Sequence, residues 1–497
     1  MKKLTAFIIA VMLILGTATL AYAENATYNL GDVNLDNTIS ISDATDIQFH
    51  LSQTALLNET AQLYADVDAD GKISVIDATI IQLYLAQLID TLPHNREIVG
   101  KISDDNSIIL SRYLPFDSYT LRYEDENGAL SDYADICTLS LDETSRTAIY
   151  SSFIAQNTAP IEATKIGVYD SNNERIGHIE LIENLTADLG EKLYTFSALS
   201  DIHVGLNENN KEYYLTSTND FINALQYLNN EVTVDFNTIC GDLTVYASEN
   251  ELSYYKSMVD EYSADTTVYV AAGNHEEYKA YTSEILHIYT ENPLFYYFEQ
   301  GDDVFIMVGV ISSFEYSTFL EGELQWLYEV LEANRNKRCF VFEHVPTDNG
   351  SGDALGLHTG SKLGSYRTSL VFKNLLSHYQ NTIFFHGHTH MQFALQQYND
   401  IANYDDTLGI HSVHIPSLSV PRGVNEDGKR VSLFEQSEGY VVEVYENSVL
   451  LKGRDFVNGK FLPIAQYNLD TTLKTVEPNT FVDTLGVIDT NVTTQNQ

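Results

Sequence analysis

Five short clusters in the second half of the chain carry side chains suited to holding metal ions. In order they are Ser200-Asp201-Ile202-His203, Gly241-Asp242, Gly273-Asn274-His275-Glu276, Glu343-His344-Val345-Pro346 and His386-Gly387-His388-Thr389-His390. Carboxylates, imidazoles and a carboxamide make a mixed oxygen and nitrogen ligand set, which suits zinc, manganese and iron alike. One such cluster means little, because a lone Gly-Asp or His-x-His is more often a turn or a surface pair. Five of them in series are what a dinuclear metal centre needs, provided the fold brings them together.

A second chemistry sits near the N-terminus. Asp32-Val33-Asn34-Leu35-Asp36 and its continuation to Asp43 recur 34 residues later, from Asp66 to Asp77. Both copies fit a twelve-residue calcium loop, since a hard cation takes six to eight oxygens and alternate loop positions supply them. Those positions hold Asp32, Asn34 and Asp36 in one copy and Asp66, Asp68 and Asp70 in the other. Backbone carbonyls of Thr38 and Lys72, then Ser40 and Ser74 directly or through water, and finally Asp43 and Asp77, complete the two expected sets. Asn37 and Gly71 fall at the sharp turn, where positive φ is tolerated.

The elements that must position these groups are legible from periodicity. Apolar runs at 193–199, 238–240, 268–272, 339–342 and 383–385 each end in one of the five clusters, and helix-length amphipathic segments fit between them, with Leu324, Leu327 and Leu331 on one face. This is an α/β layout, in which strand ends gather at one edge. After each calcium loop a helix is predicted, with Ala44, Ile47 and Leu51 inward in the first copy and Ala78, Ile81 and Leu85 in the second. Between these regions, runs at 107–110, 119–123, 136–141, 149–154, 165–169 and 175–181 alternate with turn signals such as Asp125-Glu126-Asn127-Gly128. A small β-sandwich with a spacer or binding role is predicted there.

The five ordered clusters resemble the calcineurin-like metallophosphoesterase superfamily over roughly residues 192–456, block for block. The resemblance implies a four-layer αββα domain and a dinuclear site. It places Asp201, His203 and His390 on one metal and Asn274, His344 and His388 on the other, with Asp242 bridging. It further implies two divalent transition metals (Mn, Fe or Zn), hydrolysis of a phosphomonoester or phosphodiester by hydroxide held between them, and His275 as the acid that protonates the leaving alkoxide. Purple acid phosphatases would have glycine at His203 and tyrosine at Val245, so a tyrosinate-bound ferric site is not expected. Glu343 stands where a second histidine could have been, and Thr244 where some relatives have an acid.

The duplicated loops resemble a type I-like dockerin over about residues 28–92, which implies two structural Ca2+ and a cohesin domain of a scaffoldin as partner. By analogy the cohesin-facing residues are Ile41 and Ser42 in one half and Val75 and Ile76 in the other, pairs that differ and so argue against a symmetric two-way binding mode.

Residues 1–23 read as an export signal: Lys2 and Lys3, an apolar run, then Ala21-Tyr22-Ala23. A secreted protein is predicted, held through its dockerin on a cell-surface multi-enzyme complex, with no membrane span. A formal charge of −43 argues against nucleic acid as partner and favours cations. Three cysteines, Cys137, Cys240 and Cys339, make no disulfide framework and are read as small buried hydrophobes. His178, His378 and His386 are read as structural or surface residues, and His411 and His414 as reaching the rim of the site. Residues 347–361, with His358, have the chemistry of a lid loop, and 471–497 that of a loosely ordered tail. The expected chain is thus multidomain: signal 1–23, an α dockerin 28–92 with duplicated EF-hand-like loops, a β-rich segment 95–190, the phosphoesterase domain 192–470 and the tail. Its substrate is a phosphorylated small molecule or polymer. The alternative is a non-catalytic docking module that binds a phosphorylated polymer, and metal content separates the two.

Overall fold

The structure is a computed structural model. It describes residues 29–68, 72–89, 92, 98–102, 108–109, 118–140, 150–151, 159–181, 189–205, 211–263, 266–276, 283–309, 311–313, 316–318, 322–347, 366–394, 404–405, 409–425 and 427–480. The predicted signal, Asp70, Gly71, His358 and most of the predicted lid lie outside these residues. Two compact units divide at Val99.

The first unit contains helices α1 (Ile41–Leu51), α2 (Glu59–Ala65) and α3 (Val75–Leu85). Helices α1 and α3 begin identically: Ser40 and Ser74 are N-caps in capping boxes closed by Asp43 and Asp77. Ala44, Ile47, Ala78 and Ile81 are fully buried against Val33, Ala65 and Val67, whereas Leu51 and Leu85 are exposed. Helix α2 is additional to the one helix that the sequence predicts after each loop. Asn58 caps it through the Ala61 amide at 2.8 Å, and its seven residues are too few for a clear apolar period.

The β-rich segment starts with β1 (Ile98–Ile102), within which the two units divide, and continues in the second unit with β2 (Ile108–Ile109), β3 (Ser118–Asp125), β4 (Gly128–Ala129), β5 (Cys137–Ser140), β6 (Tyr150–Ser151), β7 (Lys165–Tyr169) and β8 (Arg175–Glu180). They follow one hydrogen-bonded path, β4-β3-β7-β8-β1-β2-β6, with β5 also on β3. Buried Glu124 takes hydrogen bonds from Tyr169 and Arg175 at 2.7 and 3.0 Å. The segment docks by backbone bonds between Ala134 and Phe461 and between Phe461 and Asp132, at 2.8 and 2.9 Å.

The rest of the second unit is built from two facing sheets. The first uses β9 (Lys192–Leu199), β10 (Phe236–Cys240) and β11 (Thr267–Ala271), all parallel, with α4 (Lys211–Gln226), α5 (Glu249–Tyr262) and α6 (Ser283–Thr290) in the connections. The second uses β12 (Tyr296–Gln300), β13 (Asp303–Val308), β16 (Cys339–Glu343), β17 (Thr382–His386), β18 (Tyr404–Asp405) and β19 (His411–His414), with α7 (Glu323–Ala333) and α8 (Tyr366–His378). Two hairpins stand apart, β14 (Ile311–Ser313) with β15 (Tyr316–Thr318) and β20 (Arg422–Val424) with β21 (Arg430–Ser432). Strands β22 (Glu438–Tyr445), β23 (Ser448–Asp455) and β24 (Lys460–Asp470) return to the first sheet, giving the order β11-β10-β9-β22-β23-β24 against β12-β13-β16-β17-β19-β18.

Aromatic rings fill the space between the sheets. Phe196 and Tyr440 from the first meet Phe305, Phe340, Phe342 and Phe385 from the second, all fully buried; Phe305 and Phe340 stack at 4.5 Å. The outer faces are covered by helices, with Leu324, Leu327 and Leu331 of α7 buried as their spacing predicts. The architecture is therefore αββα. Beyond β24 the backbone is not a loose tail as far as Thr480: Val476 is buried, and the segment is tied to α7 through Tyr328 and Glu332, to α8 through His378, and to the loops that follow these helices through Asn336 and Asn381. Residues 481–497 lie outside the described residues. The sequence misled because the Thr- and Asn-rich composition of this strap suits exposed backbone hydrogen bonding as well as disorder.

Candidate metal centre

All five clusters follow the C-terminal ends of parallel strands: β9, β10 and β11 in one sheet, β16 and β17 in the other. Because the sheets face each other, the clusters meet across both edges rather than along one. Past the strands the first two loops keep pairing, with Asp201 N–H to the Gly241 carbonyl at 3.1 Å and His203 N–H to that of Asp242 at 2.9 Å. The last loop is tied in through Gly387 N–H to the His344 carbonyl at 3.0 Å.

The side chains converge in two groups. Ligand atoms of Asp201, His203, Asp242 and His390 lie within 4.8 Å of one another, as do those of Asp242, His344 and His388. Asp242 belongs to both: its Oδ2 is 3.6 Å from His203 Nε2 and 3.2 Å from His344 Nε2. Asp201 Oδ1 is 3.1 Å from His390 Nε2, and the Nε2 atoms of His203 and His390 are 3.0 Å apart. Asn274 Oδ1 is buried and makes no hydrogen bond among the described residues.

The donor set fits cations. His344 Nδ1 is 2.5 Å from the Cys240 carbonyl and His390 Nδ1 3.2 Å from that of Val420, so each donates there and, as the neutral imidazole that binds a metal, turns a bare Nε2 inward. Asp201 Oδ1 and His344 Nε2 have no hydrogen-bond partner among the described residues although both are buried. Electron pairs thus face electron pairs, which only positive charge reconciles. Burial by itself would lower His344, yet Asp242 and Asp201 push it up to about 10, drawing a proton to Nε2 to meet the same demand for positive charge that a cation would meet. Burial opposes ionisation of Asp201, but His390, His344 and His203 hold it well below the usual carboxylate range. His203, where burial dominates, falls to about 4.

The backbone is unusual here. Asp201, His203, Asp242, His388 and His390 all have φ between +49° and +72°, the left-handed region that costs a non-glycine residue roughly 1–2 kcal/mol. Such strain persists where the surroundings over-determine it. A Cβ on Gly387 would collide with Ser200 Oγ and Asp201 Oδ2, so the last loop can approach the first only through glycine.

His275 lies beside the groups without joining either. Its Nδ1 bonds the Val245 carbonyl at 2.7 Å, its amide bonds Asp242 Oδ1 at 2.9 Å, and its Nε2 is 3.8 Å from Asp242 Oδ2. The ring is a quarter exposed, so it can meet solvent or substrate.

Several supporting residues escaped the sequence reading. Glu276 is buried, and its carboxylate accepts from the amides of Asp242, Leu243 and Gly273 at 2.9, 2.9 and 2.8 Å. Burial, with Asp242 alongside, pushes it up to about 6, while the Gly273 amide pulls the other way. Its place directly after Asn274-His275 was the available signal. Ser200 Oγ bonds Asp201 Oδ2 at 2.7 Å, and the hydroxyls of Ser417 and Ser419 reach the Asp201 carbonyl; nothing in the spacing of the last two announces this. His411 does not reach the rim: its Nε2 bonds the Asp470 carbonyl at 3.0 Å. His414 is buried and bonds Thr389 Oγ1 at 2.9 Å, behind the site rather than at its edge. The two stand three positions apart on β19, an odd spacing that sends their side chains to opposite faces of the strand. His178 pairs with Glu180 at 2.9 Å, His378 with the Glu477 carbonyl, and His386 is buried in β17.

In the first unit, Asp66, Asp68 and Asp77 bring ligand oxygens within 4.8 Å of one another. Asp77 also takes the amides of Val67 and Ser74, and in the other loop Asp43 likewise takes those of Val33, Asn34 and Ser40, Asp32 those of Asp36 and Asn37, Asn34 that of Asp36 and Asp36 that of Thr38. Thr38 and Lys72 are exposed. Ile41 and Val75 are 58% and 61% exposed and Ser42 is exposed, while Ile76 packs partly against the core. The cysteines are free, with Cys240 and Cys339 buried and Cys137 partly so. No helix among the described residues is long and apolar enough to cross a membrane.

The calcineurin-like phosphoesterase family model matches residues 194–392, and the dockerin type I domain model matches residues 30–86. No curated protein matches the chain. Among solved structures, a purple acid phosphatase from yellow lupin (Lupinus luteus) seeds is 15% identical over 78% of this chain and 77% of its own, with a TM-score of 0.39. A ScaB dockerin solved with the third cohesin of ScaC from Acetivibrio cellulolyticus is 28% identical over 14% of this chain and 94% of its own, with a TM-score of 0.13. The GAP50 anchor of the Plasmodium inner membrane complex is 15% identical over 58% and 91%, with a TM-score of 0.37.

Proposed function

Given a calcineurin-like phosphoesterase domain and a dockerin type I domain joined in one chain, we propose that this protein is a secreted, dinuclear metal-dependent phosphoesterase tethered to a cohesin-bearing scaffold. The observation that carries the enzymatic part is the position of Asp242, whose carboxylate is shared by two separate groups of buried ligands. Asp201, His203 and His390 would hold one divalent ion and Asn274, His344 and His388 the other, with Asp242 between. When bound, two such ions supply Lewis acidity, lower the pKa of a water and neutralise phosphoryl oxygens.

The remaining work falls to the chain's own residues. His275 is held at both ends, by the Val245 carbonyl and by Asp242 Oδ1, and turns Nε2 toward the centre. In its imidazolium form it can give the Nε2 proton to the departing alkoxide, with Asp242 near enough to stabilise the cation. Buried walls keep bulk water from Asp201, Asp242 and His344 and so strengthen each charge interaction there. In the first unit the loop acids would hold two calcium ions as structural staples, and the exposed Ile41 and Val75 would face a cohesin.

The test is hydrolysis of nitrophenyl phosphate and bis-nitrophenyl phosphate alongside elemental analysis. Two equivalents of Zn, Mn or Fe per chain and metal-dependent turnover are expected. An inactive protein free of such metals after growth and refolding in their presence would leave only the docking role.

A further inference from the structure

Glu276 touches neither group of ligands through a ligand atom, yet the turn that carries Asp242 hangs from it. Gly241 and Asp242 are consecutive left-handed residues, with φ of +81° and +55°. Such a turn points successive N–H groups into one concavity, which ordinarily receives an anion. Here the anion is internal: one Glu276 oxygen takes the Asp242 and Gly273 amides and the other takes the Leu243 amide. The same turn governs His275, whose amide bonds Asp242 Oδ1 and whose ring bonds the Val245 carbonyl two residues beyond Leu243.

We propose that Glu276 is a positioning residue that sets the bridging carboxylate of Asp242 and the ring of His275 together, as one rigid unit. This rests on the phosphoesterase reading above. With Asp242 Oδ1 committed to the His275 amide, Oδ2 alone is left to face His203, His344 and His275 at 3.6, 3.2 and 3.8 Å. Removing the Glu276 carboxylate leaves three buried donors unsatisfied and releases both groups at once. Glutamine at this position presents an NH2 to backbone N–H groups and cannot replace it.

The full-length chain is compared with Glu276→Gln, Glu276→Asp and, as a control for loss of a buried carboxylate elsewhere, Glu124→Gln. Zinc affinity is measured by chelator competition, and kcat and KM with bis-nitrophenyl phosphate. Glu276→Gln is expected to lose about 10–100-fold in both zinc affinity and kcat, as loss of an outer-shell partner does, with KM little changed. Glu276→Asp, which keeps the charge on a shorter arm, should recover part of each. Should Glu276→Gln fail to fold, Glu276→Asp is read against wild type in the same way. The proposal is overturned if Glu276→Gln stays metal-loaded and active, or if Glu124→Gln reproduces its losses. A wild-type chain that neither binds zinc nor turns over is a different result: it removes the phosphoesterase reading, and this one with it.

Discussion

His344 and Asp242 meet with Nε2 3.2 Å from Oδ2, while the opposite edge of the imidazole donates to the Cys240 carbonyl at 2.5 Å. Two strands of different sheets, β16 and β10, thereby present an imidazole nitrogen and a carboxylate to the same point. The contact is the hinge between the two ligand groups.

Replacing that carboxylate should therefore cost more than replacing any supporting residue. Asp242→Asn keeps the shape but removes one of the two carboxylates of the first group and the sole carboxylate of the second. Metal content should drop, and kcat should fall by more than about 100-fold, beyond the range for outer-shell partners. Elemental analysis with steady-state kinetics checks this, and equal metal and turnover would refute the assignment.

His275 makes a contrasting prediction, because it carries no ligand atom of either group. His275→Ala should retain the wild-type metal content while kcat falls about 10²–10⁴-fold with an alkyl phosphate, whose leaving group needs a proton. With nitrophenolate leaving, the loss should shrink. A leaving-group series read on both proteins decides it, and a uniform loss would rule out the acid role.

A third expectation concerns the calcium loops. If Asp66, Asp68 and Asp77 hold a structural ion, a calcium chelator should accelerate amide exchange in α1 and α3 and abolish binding to a cohesin. Exchange in β9 and β16 should be untouched. Unchanged protection of both helices would remove the staple role.

Tyr194, Asp303 and Arg338 form a buried network between the edges of the two sheets: Arg338 grips Asp303 at 2.6 and 3.1 Å, and Tyr194 donates to it at 2.5 Å. Asp303→Ala strands the guanidinium and should cost about 3–5 kcal/mol. Urea denaturation measures it; a loss below about 1 kcal/mol would mean the pair is solvated after all.

Asp220 on α4 predicts a pH dependence. Burial, with Asp455 nearby, raises it to about 8, and its Oδ2 has no hydrogen-bond partner among the described residues. The folded state therefore keeps a proton that the unfolded chain gives up near pH 4. Its contribution is fully present below the unfolded value and is lost as pH rises toward about 8, at up to about 1.4 kcal/mol per unit. Asp220→Asn removes that loss, so its urea midpoint should fall less than wild type between pH 5 and 8. Parallel profiles would show that the site relaxes on ionisation.

The sequence by itself determined which strands exist and what they end in. Alternation and apolar runs are local properties, so β9, β10, β11, β16 and β17 stand within a residue or two of their predicted bounds, and the ligand types follow directly. The duplicated loops and the N-caps of α1 and α3 are local in the same sense. What only the tertiary structure decided is pairing across the two sheets. That Asp242 is reached from both sides, that Glu276 fills the turn beneath it, that His414 sits behind the site while His411 faces Asp470, and that the strap to Thr480 is bound to α7 and α8 are all contacts between residues distant in the chain. They arise from packing two aromatic faces together, and no short-range pattern encodes which distant backbone group a side chain will meet.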